Sequence, residues 1–149
     1  LSDGAPRRID LLPARRHNPA AMKIEHTAYQ VEDPVALAAW YTEHLGLRVK
    51  RAQTHSPFGQ FLADDGDTVM LEFYAFPELP VPEYSRMDPR LLHLAFRTDD
   101  VTATRARLLS AGATAEGEVQ TTPAGDVVAM LRDPWGLAVQ LVRRAQPMI

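Results

Sequence analysis

Cysteine is absent from this chain of 149 residues, which excludes disulfides, thiolate metal sites and a cysteine nucleophile. Any metal must then be held by imidazole, carboxylate or amide oxygen. No stretch approaches the roughly 18 consecutive apolar residues of a membrane helix, so a membrane is not an expected partner. Basic charge is not in excess. With 16 Lys and Arg against 19 Asp and Glu, the net charge of −3 offers no field for nucleic acid. Glycine is sparse, at 8 residues, and no Walker-type loop, dinucleotide fingerprint or Ser-His-Asp arrangement is visible, so no nucleotide cofactor is expected. The first 21 residues, "LSDGAPRRIDLLPARRHNPAA", lack the continuous apolar core of about 7 to 15 residues that a secretory signal carries, and a cytoplasmic protein is expected.

What is present is an ordinary globular balance: 46% hydrophobic and 23% charged residues, enough for one core. The fold is expected to begin at Met22. Residues 1–21, with Arg7, Arg8, Arg15 and Arg16, read as an extension, either a solvated tail or a docking arm.

From Met22 onward the chain repeats itself. "KIEHTAYQV" reads as a strand, Asp33 and Pro34 as the cap and first residue of a helix, and "VALAAWYTEHL" as its body, stopped at Gly46. "LRVKRA", "FGQFLA" and "TVMLEFYAF" follow as strands, the last two joined through "DDGD", where Asp65-Gly66 is a hairpin signal. After the proline-rich "PELPVPEYSRMDPR", the same grammar returns: "LLHLAFRT", a helix opening near Asp99 or Asp100 and closing at Gly112, then "TAEGEV", "DVVAMLR" and "LAVQLVR", with a "DPWG" turn before the last strand. His93 lies 67 residues after His26, Gly112 lies 66 after Gly46, and Gln140 lies 68 after Glu72. Two copies are too few for a solenoid. The expectation is an α+β fold of two paired βαβββ modules, residues 22–76 and 91–144, joined by a linker at 77–90 within a domain spanning 22–149.

Strand alternation places His26 on a face with Ala28 and Gln30, Glu72 with Met70, Tyr74 and Phe76, His93 with Ala95 and Arg97, and Gln140 with Ala138 and Val142. One strand histidine alone reads as a hydrogen-bonded core residue. Glu72 alters that reading, because an ionised carboxylate between "VML" and "FYAF" is costly to bury unless paired or metal-bound. Packed as pseudo-symmetric copies, the modules would bring two imidazoles, a carboxylate and an amide to one cleft. Such a set suits Zn, Ni, Co, Mn or Fe(II) without choosing among them. His44, near a helix C-terminus, needs only its local electrostatic role. His55 falls in a loop between strands.

The two βαβββ units, "AAWYTEHLGL", "DPWGLAVQLV" and the spacing of His26, Glu72, His93 and Gln140 together resemble the vicinal oxygen chelate superfamily. That group includes glyoxalase I, extradiol dioxygenases, methylmalonyl-CoA epimerase and the fosfomycin and bleomycin resistance proteins. The resemblance covers residues 22 to about 144. It implies that each module curls into a half-barrel, that the pair forms a cup around one divalent ion held by His26, Glu72, His93 and Gln140, and that the cup often closes across a homodimer. One scaffold hosts several chemistries, so fold alone does not select the reaction.

His26, Glu72 and His93 match the bacterial glyoxalase I pattern, but Gln140 stands where that pattern has a glutamate thought to act as a base. An amide cannot take a proton in that way, which leaves Glu72 as the candidate catalytic base. Gln30 occupies the place of a glutathione-contacting arginine, so glutathione adducts are not the preferred substrate. Gln30, Tyr74 and Arg97 are the expected substrate contacts, Arg97 as an anchor for carboxylate or phosphate. The implied activity is that of a metal-dependent lyase or isomerase acting on a small oxygen-rich molecule through enediolate chemistry. The alternatives are an extradiol-type dioxygenase, whose pattern wants a glutamate where Gln140 stands, and a metal-free ligand-sequestering protein of the bleomycin-resistance kind. The latter would use aromatic walls drawn from Tyr29, Trp40, Phe73, Tyr74, Phe76 and Trp135. Trp40 and Trp135 are expected in packing roles.

Overall fold

The structure, a computed structural model, describes residues 22–148; the extension read at 1–21 lies outside the described residues. Each half folds as β, α, β, β, β. The first comprises β1 (His26–Gln30), α1 (Pro34–Leu45), β2 (Arg48–Ala52), β3 (Gln60–Ala63) and β4 (Met70–Tyr74). The second comprises β5 (Leu94–Arg97), α2 (Val101–Ser110), β6 (Thr114–Thr121), β7 (Val127–Arg132) and β8 (Ala138–Arg143). The sheets are ordered β1-β4-β3-β2 and β5-β8-β7-β6, so the repeat read from residue spacing is a repeat of topology. In each, first and last strands pair in parallel and the others antiparallel. Both sheets are open half-barrels.

Local chemistry sets the helix ends. Asp33 accepts from the Ala36 amide at 2.9 Å and Asp100 from the Ala103 amide at 2.9 Å, each offsetting an orphan donor of the first turn. Pro34 sits at the first helical position, where no hydrogen bond is lost. At the far end of α1, Gly46 takes φ 74°, a left-handed conformation a side chain would resist.

Sheet alternation then divides the faces. Phe73, Leu62 and Leu71 of the first sheet, and Leu94, Phe96, Leu131 and Leu141 of the second, turn to one shared core. Tyr41 on α1 joins them, with its ring centroid 5.1 Å from Phe73 and 6.2 Å from Phe96. Those that are fully buried, such as Phe73, Leu62, Leu131 and Leu141, each contribute about 1.5 to 3 kcal/mol of apolar burial. The helices also meet directly: Trp40 Nε1 donates to the Ala111 carbonyl at 2.8 Å, and Arg107 donates to the His44 carbonyl at 2.6 Å. Trp40 is buried and Trp135 packs against the core, the roles expected of them.

Four details differ from the sequence reading. Strand β5 begins at Leu94, so His93 stands just before it, and His26 is the first residue of β1 rather than an interior one. Strand β4 begins at Met70 rather than Thr68, and in the turn before it Asp67, not Gly66, takes the left-handed conformation, φ 50°. Strand β6 continues to Thr121 through a register shift that spans Gly117, φ 78°. The linker is more than a proline spacer: Tyr84–Arg86 form a 3-10 turn with Tyr84 buried. Arg132, itself buried and ion-paired with Glu116, donates to the Tyr84 carbonyl at 2.7 Å and the Met87 carbonyl at 2.8 Å. Gly136, φ 90°, permits this packing, because a Cβ there would lie 2.9 Å from the Ser85 amide nitrogen.

Candidate functional site

The parallel β1/β4 register sets His26 opposite Met70 and Ala28 opposite Glu72, so both polar side chains emerge on the face turned away from the core. His26 Nε2 lies 3.4 Å from Glu72 Oε2. Two ligands each about 2.1 Å from one ion at a tetrahedral angle lie about 3.4 Å apart, which the pair satisfies. On its other side, His26 Nδ1 bonds the Glu25 carboxylate. Glu25 first, and Glu72 after it, hold the His26 imidazole above its ordinary pKa, favouring a proton on the ring. Were His26 to hold a metal through Nε2, Glu25 would fix the tautomer of the ring from behind. The pair is accessible: the His26 side chain is 39% exposed and Glu72 19%. Phe61, opposite Glu72 on β3, presents its ring edge-on to His26 at 5.9 Å, and the Arg51 guanidinium lies 5.7 Å over the Phe61 ring.

The second module repeats the arrangement with different chemistry. Ala95 on β5 pairs with Gln140 on β8, which pairs on its other side with Met130. His93 donates Nδ1–H to the Pro89 carbonyl at 2.7 Å. A carbonyl can only accept, so in the neutral ring Nε2 keeps its lone pair for a ligand role. Both histidines therefore present Nε2 while an acceptor holds Nδ1.

Among the described residues, no three of His, Asp and Glu come together in a group able to hold a metal ion. His26 and Glu72 form one half-set, and His93 is not gathered with them.

The remaining expected contacts are placed as follows. Gln30 has its amide committed: Nε2 donates to the carbonyls of Phe76 at 2.9 Å and Leu79 at 3.2 Å, while Oε1 accepts from the Phe76 amide at 2.9 Å. It holds the exit of β4 against the end of β1. Tyr74, two residues beyond Glu72 on the same face, packs against Phe76 at 4.9 Å between ring centroids. Arg97 ends β5 and lines a groove between the modules with Leu45, Leu71, Asp64, Asp65 and Asp99. His44 packs on Trp40 at 5.2 Å in the last turn of α1, and the His55 carbonyl accepts from the Phe58 amide in the loop before β3.

Two groups were not singled out from sequence. Glu25 was legible only as the neighbour of His26 in "IEH". Asp133, read as a turn residue, is a buried carboxylate. Its Oδ2 accepts from the Tyr41 hydroxyl at 2.9 Å, and its Oδ1 from the Trp135 and Leu137 amides, both at 2.9 Å. Burial pushes its carboxyl up to about 6 despite these donors.

The family model described as Glyoxalase/Bleomycin resistance protein/Dioxygenase superfamily matches residues 23–141. No curated protein matches the chain. Among solved structures, the chain is similar to TnmS3, an antibiotic binding protein from Streptomyces sp. CB03234, with a TM-score of 0.64, 24% identity, and 86% of this chain and 100% of that one covered. It is similar also to a glyoxalase family protein from Enterococcus faecalis, with a TM-score of 0.63, 26% identity, and 81% and 97% covered. A glyoxalase/bleomycin resistance protein/dioxygenase family enzyme from Burkholderia phytofirmans PsJN gives a TM-score of 0.63 at 21% identity, with 81% and 98% covered. With the repeated βαβββ topology and a family match over most of its length, the chain belongs to the glyoxalase/bleomycin resistance protein/dioxygenase superfamily.

Proposed function

We propose that this chain is a metal-dependent lyase or isomerase of the glyoxalase type, acting on a small oxygen-rich molecule. In this reading it works as a homodimer in which His26 and Glu72 of one copy are completed by His93 and Gln140 of the second. The observation that carries the reading is the His26–Glu72 pair with Glu25 behind it: two charge-attracting ligands 3.4 Å apart, aimed outward, with the imidazole oriented from the far side. We place the remaining ligands on a second copy because, among the described residues, no third His, Asp or Glu joins His26 and Glu72 in a metal-holding group.

A divalent ion held there would act as a Lewis acid toward a substrate carbonyl oxygen. The chain's own residues do the rest. Glu72, through the carboxylate oxygen not turned to His26, takes the proton from the hydroxyl-bearing carbon beside that carbonyl and returns it to the carbonyl carbon, while the hydroxyl proton passes to the former carbonyl oxygen; Gln140 cannot perform such a transfer. Glu25 keeps the His26 ring in the orientation that presents Nε2. Phe61 and Tyr74 flank the face and limit water, Gln30 fixes the wall above it, and Arg97 supplies a positive charge for a carboxylate or phosphate on the substrate.

A second reading, a protein that sequesters a ligand unchanged, is favoured by the likeness to TnmS3, described as an antibiotic binding protein. Elemental analysis of untagged protein separates the two. The lyase reading expects about one divalent ion per chain, absent from the His26→Ala, His93→Ala double variant. Protein that stays metal-free after reconstitution would leave the sequestering reading. Oxygen consumption with Fe(II) would instead mark a dioxygenase.

A further inference from the structure

Four exposed large apolar side chains, Val35, Phe58, Leu79 and Val81, line a single cavity of about 560 Å³. It lies where β1 and β4 end and α1 begins, with Pro34 and Phe76 in its lining. Gln30, also in the lining, is four residues from His26 along β1, about 13 Å at the rise of a strand. The cavity is thus set apart from the His26–Glu72 pair and is formed by one chain alone.

The loop that carries Phe58 is firmly held. Phe58 takes φ 58°, a conformation that favours glycine or asparagine over a bulky aromatic residue. Its amide donates to the His55 carbonyl at 2.7 Å, and its carbonyl accepts from the buried Gln60 side chain at 2.9 Å. The Pro57 carbonyl accepts from the Ala75 amide at 2.8 Å, tying the loop to the end of β4. An aromatic ring is therefore kept exposed, on a backbone ill suited to it, at the wall of an apolar hollow.

Charge narrows the occupant. Glu32 and Asp33 belong to the lining, and among the described residues that form it there is no Lys, Arg or His. The positive end of α1 also reaches the wall, but Asp33 already accepts from the Ala36 amide there. We propose that this cavity binds a small organic cation with an aromatic or apolar body. The volume suits a ligand of that size, the phenylalanine faces attract a cation, and the two carboxylates favour it over an anion.

The test uses the full chain titrated with thioflavin T, a cationic aromatic dye, and with anilinonaphthalene sulfonate, an anionic one. Thioflavin T is expected to saturate at about one dye per chain and to weaken about tenfold in Phe58→Asn, which removes the ring but suits the left-handed backbone. Glu32→Gln is expected to weaken thioflavin T several-fold and to leave the sulfonate no weaker, and Leu91→Ser, at an exposed position away from the cavity, to change neither. Sulfonate binding as tight as that of thioflavin T, no saturable binding of thioflavin T, or unchanged affinity in Phe58→Asn would overturn the proposal. Circular dichroism of each variant confirms that lost binding is not lost folding.

Discussion

The Tyr41 hydroxyl donates to Asp133 at 2.9 Å, joining the first helix of one module to the last hairpin turn of the other. Both residues are buried: Tyr41 has no exposed surface and Asp133 has 3%. A bond of this kind does what the apolar core alone does not, fixing one relative placement of two similar modules.

Tyr41→Phe keeps the ring contacts with Phe73 and Phe96 but leaves a buried carboxylate oxygen without its donor. Chemical denaturation is expected to show a loss of about 1 to 3 kcal/mol, with the slope of the transition unchanged. A loss well under that range would mean that water replaces the hydroxyl.

Asp133 also gives stability a pH dependence of unusual sign. Its folded-state carboxyl sits at about 6 against an ordinary value of 3.8. The folded state therefore binds the proton more tightly than the unfolded state, and stability from this group is greatest below about 4 and declines as pH rises to about 6. The span is on the order of 3 kcal/mol. Asp126 and Asp88, whose carboxyls are held low chiefly by bonds from the Ala145 amide and the Arg90 guanidinium respectively, contribute in the opposite direction. The clean readout is the difference between the parent protein and Asp133→Asn across pH 4 to 7. That difference should change steeply up to about pH 6 and level off above it; a flat difference would contradict burial as the dominant influence on this carboxyl.

Glu25→Gln tests the support behind His26. In metal-free protein, NMR titration should show the His26 pKa falling toward its ordinary value, since the Glu25 carboxylate is the largest cause of its elevation. Metal affinity should drop about 10- to 100-fold, the usual effect of removing a carboxylate behind a ligand histidine. An unchanged titration would show that Glu25 does not bond the ring in solution.

Much of this architecture was legible in residue order. The intervals of 67 and 68 residues separating His26 from His93 and Glu72 from Gln140 predicted two like modules, and the strand registers place Glu72 and Gln140 at matching positions beside Ala28 and Ala95. The start of β5 was not legible, because "LLH" is as apolar as the strand it precedes. Those residues are instead taken up by a turn, in which the Leu91 amide donates to the Asp88 carbonyl and the His93 ring to the Pro89 carbonyl, and Leu91 is 80% exposed. The burial of Asp133 was hidden for a related reason: "DPWG" reads as a surface turn until Tyr41, 92 residues distant, covers it. Nor does one chain's sequence state whether strands of the two modules face one another within a copy or between copies, since the same strands and spacings serve both.

The shared site between copies is the central claim, and mixing two inactive variants tests it most directly. His26→Ala and His93→Ala are purified separately, each expected to bind no divalent ion, then unfolded together, refolded and assayed for bound metal. Completion across a dimer predicts that mixed dimers regain an intact site, built from His26 and Glu72 of the His93→Ala copy with His93 and Gln140 of the His26→Ala copy. Metal that never returns in mixed dimers, although the parent protein binds it under the same treatment, would contradict the account.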